Sequence, residues 1–490
     1  MKNPITILGL GPGDPALLTR EAWDVISTAS EIYLRTRHHP AIAGFPAHIQ
    51  IHSFDELYEN ADTFEAVYDR IVQQVLELGK RPQGVIYAVP GHPYIAEATG
   101  PEIARQARQA GIPVRLVEGL SFLEPTLTLL GLDPFPHTAL VDAFDLVTAH
   151  VPAFPPSAPA LIAQIHSRAM ASFVKLALMA NYPDHHPVQL IHAAGTSQAM
   201  VEAVSLYEID RSAAIGLLTS LYVPALGTTT SFEAFQEVIA HLRAPDGCPW
   251  DREQTHASLR PHLLEEAYEV AAALDAGDAV AMREEFGDLL LQIVLHAQIA
   301  SESGDFSMTD ILQGIHTKIV NRHPHVFGDL LLKDVDGVLH NWEKLKAAER
   351  VANGKSDAGL LDGVPLVLPA LAQADQYQRR AARVGFDWTE IEGVLDKVRE
   401  ELDEVRSAPD DESRGRELGD LFFALVNLTR WYNLDAETIL REANARFYWR
   451  FSHIEAATRN QGRALTDLTL DEMEALWQAA KRSPDSSQGS

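Results

Sequence analysis

Hydrophobic patterning divides the chain into two textures that meet near Pro224. Before that point, short β-rich runs alternate with helical stretches. Ile5-Thr6-Ile7-Leu8 leads into a glycine turn, and Gly84-Val85-Ile86-Tyr87-Ala88-Val89 ends at Pro90-Gly91. Further strands are predicted at Pro113–Val117, Lys175–Met179 and Pro187–Ile191. Strands that alternate with helices predict an α/β domain over residues 1–225. The proline-rich stretch Val151–Pro159 predicts a connector between two lobes of that domain. After Pro224, apolar residues recur at helical spacing, as in Leu263, Leu264, Ala267, Val270 and Ala271, and again in Phe286, Leu289, Leu290, Ile293 and Val294. The second half is therefore expected to be all-α, with apolar flanks that pack its helices. Residues 483–490 are polar and are expected to form a disordered tail.

The helical half repeats itself. His262-Leu263-Leu264-Glu265-Glu266-Ala267-Tyr268-Glu269-Val270 matches Val398-Arg399-Glu400-Glu401-Leu402-Asp403-Glu404-Val405. Each is followed by a second acidic helix, Glu285-Phe286-Gly287-Asp288 in one case and Glu417-Leu418-Gly419-Asp420 in the other. The offset is 135 residues at the first motif and 132 at the second. A spacing kept across two motifs predicts a duplicated helical module, over residues 230–352 and 364–482.

Composition narrows the class. A chain of 490 residues suggests about three domains, and a hydrophobic fraction of 46% excludes global disorder. No uninterrupted apolar run reaches the roughly 18 residues of a membrane span, and the N-terminal residues read as the approach to a strand, not as a secretory signal. The single cysteine, Cys248, excludes an intrachain disulfide and fits a reducing, cytoplasmic setting. The net charge of −28 excludes broad binding to a nucleic-acid polymer, which needs a basic footprint. Residues 231–490 hold 46 acids and 27 bases; the first 230 hold 22 and 13. Most of this charge reads as solvated acidic surface, but excess carboxylates also suit divalent cations.

On a helix, residues four apart share a face, so Glu265 and Glu269 align, with Glu266 on the flank. Glu285 and Asp288 align on the next helix. If the two helices pack side by side, the carboxylates converge, which is unfavourable without a neutralising cation. Oxygen-only ligands favour Mg²⁺ or Mn²⁺ over zinc. Glu400, Glu401, Glu404, Glu417 and Asp420 repeat the construction. A lone Glu-Glu-x-x-Glu run is ordinarily a solvated helix face. The second acidic helix and the duplication are what favour a site.

This spacing resembles the signature of the all-α nucleoside triphosphate pyrophosphohydrolases, and the tandem segment resembles the MazG family over about residues 230–482. Gly247-Cys248-Pro249-Trp250-Asp251, Arg322-His323-Pro324-His325-Val326-Phe327 and Gly385-Phe386-Asp387-Trp388 belong to the match. The resemblance implies hydrolysis of NTPs or dNTPs to the monophosphate and pyrophosphate, in nucleotide-pool housecleaning. It implies metal ligation by Glu265, Glu266, Glu269, Glu285 and Asp288, and by Glu400, Glu401, Glu404, Glu417 and Asp420. Glu266 and Glu401 are also expected to be catalytic, together with the basic residues Lys318, Arg322, Arg446 and Arg450. Lys318 and Arg322, and in the second module Arg446 and Arg450, are expected to hold the triphosphate. Trp250 and Trp388 read equally as base-stacking or core residues. A homodimer is expected by the same resemblance.

Before the helical half, Gly9-Leu10-Gly11-Pro12-Gly13-Asp14-Pro15 follows a strand and precedes a helix expected near Thr19. With Tyr87–Pro93 and Glu118–Phe122, it resembles the tetrapyrrole methylase family over about residues 4–222. That resemblance implies a two-lobed fold binding S-adenosylmethionine, with Gly11, Pro12, Gly13, Asp14, Pro90, Gly91, His92 and Ser121 as the candidate contacts. His92 stands where the family commonly has aspartate, and Ser121 stands alone where a serine pair is common; both departures speak against a tetrapyrrole substrate. A turn histidine without chemistry is the plainer reading of His92, and His323 and His325 read as structural or phosphate-adjacent. The fusion of the two parts resembles YabN-type proteins. Two other functions stay open from the residues alone: a methyltransferase with an accessory helical half, and a helical scaffold that only stores cations.

Overall fold

The computed structural model describes residues 5–59, 63–330, 334, 337–338, 341–342, 345 and 359–482, so the expected tail at 483–490 lies outside the described residues. The chain forms two compact units, Met1–Glu253 and Gln254–Ser490. Among the described residues no helix is long and apolar enough to cross a membrane.

The first unit holds two lobes. Its first sheet contains β1 (Ile5–Gly9), β2 (Glu31–Leu34), β3 (Gln50–Ser53), β4 (Val85–Val89) and β5 (Val114–Val117). They run parallel in the order β3-β2-β4-β1-β5. Strand β1 is central, with Ile5 opposite both Val85 and Val114, and all five of its residues are buried. That explains its unbroken apolar run, since a central parallel strand is covered on both faces. One core joins the sheet to helices Phe64–Leu78 and Thr99–Gln109 through Ile71, Val75, Ile103 and Ala107. Another joins it to helix Arg20–Thr28 through Ala22 and Ile26. That helix starts where the sequence predicts, because the Thr19 side chain accepts the Ala22 N–H.

The second lobe contains β6 (Ala139–Asp142), β7 (Ala160–Ala163), β8 (Pro187–His192), β9 (Met200–Ser205) and β10 (Thr219–Val223) in the order β6-β7-β10-β8-β9. Only β6 and β7 are parallel. Two expectations are corrected here. Lys175–Met179 is not a strand: it lies at the end of helix Arg168–Leu178, which Ser167 caps. The buried residues Met170, Ala171, Val174, Ala177 and Leu178 follow helical spacing, which the short apolar run concealed. The proline-rich stretch does not join the lobes either. It loops between β6 and β7 inside the second lobe, where Phe154 enters the core and Pro156 accepts the Leu226 N–H. The lobes are joined by residues 118–138, which include helix Leu123–Leu130.

The second unit is helical, as its periodicity predicts. Helix α1 (His256–Ala276) opens with a reciprocal capping box between Thr255 and Ser258 and ends at Gly277, whose φ of 67° is left-handed. Asp278 then caps α2 (Ala279–Ser303) by accepting from Val280 and Ala281. This two-residue link folds α1 and α2 into a hairpin, and α3 (Met308–Arg322) packs on α2. The second half of the unit repeats the hairpin. Helix α4 (Ala370–Ala382) precedes α5 (Ile391–Ser407) and α6 (Asp411–Trp431), which pack on each other. Helices α7 (Ala436–Asn460) and α8 (Leu470–Arg482) follow. Arg441 of α7 pairs with Asp275 of α1 at 2.7 Å, so the two halves touch.

The apolar stripe on α2 is less covered than its pattern implies. Val294 is buried, but Phe286 is 50% and Ile293 41% exposed. Phe422 on α6 is 60% exposed.

Two carboxylate clusters and a cleft

Each helical hairpin brings three carboxylates together. Oxygen atoms of Glu266 on α1 and of Glu285 and Asp288 on α2 lie within 4.8 Å of one another. Glu401 on α5 with Glu417 and Asp420 on α6 meets the same limit. Glu265, Glu269, Glu400 and Glu404 lie outside these tight groups, but their charges act on them. Partial burial, then Asp288, Glu269, Glu265 and Glu285, hold the Glu266 carboxyl above its ordinary range. Glu285 is raised by burial, Glu269, Glu284 and Asp288. Glu404 is raised by burial, then by Glu401 and Glu417, against the opposing pull of Lys397.

The residues fit a hard divalent cation. Every converging donor is a carboxylate oxygen, and in the second cluster the Glu401 Oε2 is buried without a hydrogen-bond partner among the described residues.

The clusters differ in their neighbours, and one difference touches the carboxylates directly. Lys397 Nζ contacts Glu401 at 2.7 Å and Glu400 at 3.1 Å, and these partners raise its pKa. The equivalent place on α1 is His262, which lies 3.5 Å from Glu265. The basic residues sit on the helix after each hairpin: Lys318 and Arg322 one turn apart on α3, and Arg446 and Arg450 one turn apart on α7. Lys318 and Arg446 are exposed, Arg322 and Arg450 half-buried. Arg446 is 3.7 Å from Glu442. Arg322 lies over the Trp342 ring at 5.3 Å, and Arg450 over the Trp477 ring at 5.4 Å. Trp250 is 61% and Trp388 42% exposed, so neither is a core residue. His323 Nδ1 bonds the Ile319 carbonyl, a helix-terminal role.

Between the lobes of the first unit lies a cavity of about 140 Å³. Pro12, Pro90 and Gly91 line it, as do His39, Thr126 and Gln164. Gly11 pairs with Gly91 in both directions, at 3.2 and 2.8 Å, and brings the two turns together. Gly9, Gly91 and Gly119 approach so closely that a Cβ on Gly119 would lie 2.5 Å from the Gly91 carbonyl oxygen. The other candidates do not line the cavity. The Asp14 N–H bonds Gly195 O at 2.8 Å, and its side chain accepts from Ala16. A Cβ on Gly13 would strike Thr196. His92 Nδ1 accepts the Tyr94 N–H at 3.1 Å, and Ser121 is bound to Glu124 at 2.7 Å.

Comparison with known proteins agrees with both parts. The model of the MazG nucleotide pyrophosphohydrolase domain matches residues 254–327. The chain is 41% identical over 250 residues to the nucleoside triphosphate pyrophosphohydrolase/pyrophosphatase MazG of Thermotoga maritima, across 51% of this chain and 95% of that protein. It is 44% identical over 251 residues to the nucleoside triphosphate pyrophosphohydrolase of Escherichia coli, across 50% of this chain and 95% of that one. The chain belongs to the MazG family. The tetrapyrrole (corrin/porphyrin) methylase model matches residues 4–210. The uncharacterized protein YabN of Bacillus subtilis shares the whole arrangement, at 40% identity across 98% of this chain and 99% of that protein.

Within this MazG chain, sequence reasoning missed Lys397, Trp342 and Trp477. The duplication held a signal for the tryptophans: Asn341-Trp342-Glu343 and Leu476-Trp477-Gln478 are 135 residues apart, the offset of the first glutamate motif. Lys397 lies four residues before Glu401, a spacing that places the two on one helix face and that could have flagged the contact. His39 and Thr126 carried no motif at all.

Proposed function

We propose that the helical unit hydrolyses nucleoside triphosphates to the monophosphate and pyrophosphate, with Mg²⁺ or Mn²⁺ held by Glu266, Glu285 and Asp288 and by Glu401, Glu417 and Asp420. The observation that carries this reading is the twofold convergence of three carboxylates on adjacent helices. A divalent ion there would neutralise the triphosphate and make a bound water more acidic. The chain's own residues supply the rest. Glu265, Glu269, Glu400 and Glu404 deepen the negative field that draws the cation in. Lys318 and Arg322, or Arg446 and Arg450, offset the phosphate charge, and the indole beneath each second arginine steadies its planar fork. In the overall reaction a water oxygen bonds to the α-phosphorus, the bond from the α-phosphorus to the bridging oxygen breaks, and pyrophosphate leaves with that oxygen.

The reading extends to a cytoplasmic nucleotide-pool enzyme that works as a homodimer, since Phe286, Ile293, Phe422 and Tyr448 expose apolar surface that a second copy would cover. The first unit is read as a site for S-adenosylmethionine in the cleft beside Pro12, Pro90 and Gly91. Pyrophosphate release from mixed dNTPs, with Mg²⁺ and with chelator, tests the hydrolase. Labelled methyl transfer from S-adenosylmethionine tests the alternative of an active methyltransferase.

A further inference from the structure

The two hairpins carry matching sets of five acids, but their fixed charges are not the same. In the second, Lys397 lies four residues before Glu401 on α5, and its Nζ contacts Glu401 Oε1 at 2.7 Å and Glu400 Oε1 at 3.1 Å. The lysine side chain is 36% exposed and that of Glu401 only 6%. The place 135 residues earlier, the offset of the glutamate motif, is His262, which lies 3.5 Å from Glu265. Among the described residues, no lysine or arginine forms an ion pair with Glu265, Glu266, Glu269, Glu285 or Asp288.

Lys397 therefore does in the second cluster part of what a bound cation would do: it offsets the repulsion among converging carboxylates. It does so incompletely. Glu401 Oε1 faces the ammonium, while Glu401 Oε2 is buried with no hydrogen-bond partner among the described residues. A buried carboxylate oxygen without a partner is unfavourable, so a cation still gains from binding there. An ammonium and a divalent ion repel each other and are drawn to the same carboxylate. The ammonium is tethered beside that carboxylate, so its local concentration is high.

We propose that Lys397 is a tethered counter-ion that competes with the free divalent cation for Glu401 and so sets the cation affinity of the second cluster. The proposal rests on the reading of that cluster as a cation site. The second module takes up free cation at a higher concentration than it would without Lys397, and the lysine is released from Glu401 as it does so. The first module has no such competitor among its described ion pairs.

The test is Mn²⁺ binding to the full chain, followed by loss of the free-ion EPR signal. Glu266→Gln with Asp288→Asn removes the first cluster, so the tightest remaining site reports the second. In that background Lys397→Met should bind Mn²⁺ about tenfold more tightly, equivalent to about 1.4 kcal/mol, whereas Lys397→Arg keeps the charge and should change the affinity little. An affinity that Lys397→Met leaves unchanged or weakens overturns the proposal. An equal gain from Lys397→Arg also overturns it, because the effect would then come from packing and not from charge. If wild type binds no Mn²⁺ at millimolar ion, the reading of the clusters as cation sites fails, and the proposal fails with it. Binding by wild type without a response to Lys397→Met fails the proposal alone. A second measurement needs no variant: acylation of wild-type lysines by an amine reagent, read by mass spectrometry, should be faster at Lys397 in saturating Mg²⁺ than in chelator. Equal rates overturn its release from Glu401.

Discussion

His39 ties the stability of the first unit to pH. Burial lowers its pKa from 6.5 to about 4 in the folded state, and its backbone hydrogen bond to Gly11 only partly opposes this. The folded state therefore disfavours the protonated ring, while the unfolded chain takes up the proton near pH 6.5. The stability linked to His39 is fully present above pH 6.5 and is lost as pH falls from 6.5 toward 4. The fall from 6.5 to about 4 corresponds to about 3.4 kcal/mol over the full range, of which about 2 kcal/mol is already gone at pH 5. The assay is urea denaturation of the full chain and of His39→Leu at steps between pH 7.5 and 5, following the transition that reports the first unit. Other groups titrate in the same window, so the difference between the two proteins is the informative quantity. Wild type is expected to lose about 2 kcal/mol more than the variant between pH 7.5 and 5. Parallel curves would refute a buried, neutral His39.

Gly119→Ala, which drives a Cβ against the Gly91 carbonyl, should cost about 3 kcal/mol, read as a lower midpoint for the first unit in thermal denaturation. Arg450→Lys keeps the charge but loses the fork and the contact with Trp477, and should lower kcat/KM for dNTP hydrolysis by about tenfold if the second module contributes the turnover. The proposed homodimer predicts dimer mass for wild type in light scattering and monomer mass for Phe286→Glu with Phe422→Glu; a wild type of monomer mass would contradict the dimer, and a dimer that survives both substitutions would contradict this face as its contact.

Periodicity is enough to separate an α/β half from an all-α half, and the repeated glutamate motifs locate both hairpins in the sequence itself. The strands it placed correctly are those where turn residues bound an apolar run, as at Val85–Val89 before Pro90-Gly91. It failed at Lys175–Met179 because the four-residue apolar run after Lys175 has the same composition in a buried helix and a buried strand. It failed at Val151–Pro159 because proline marks a loop without saying which elements the loop joins. At the clusters, spacing put five carboxylates of each module on neighbouring helix faces. Only the packing of α1 on α2 and of α5 on α6 selects Glu266, Glu285 and Asp288, and Glu401, Glu417 and Asp420, for close approach. The cleft residues His39 and Thr126 were illegible, because no motif marks them and only the fold brings them to one cavity.

The most direct test of the account is steady-state pyrophosphate release from dNTPs with Mg²⁺, measured on wild type, Glu266→Gln, Glu401→Gln and the double variant. Circular dichroism confirms the fold of each. Both substitutions are nearly isosteric and relieve carboxylate repulsion, so the double variant should remain folded. The two clusters differ in Lys397 against His262, so the single variants are expected to lose unequal fractions of the turnover, and the double variant to lose all of it. Chelator should abolish the wild-type rate. A folded double variant that keeps the wild-type rate would contradict the assignment of these helices to catalysis.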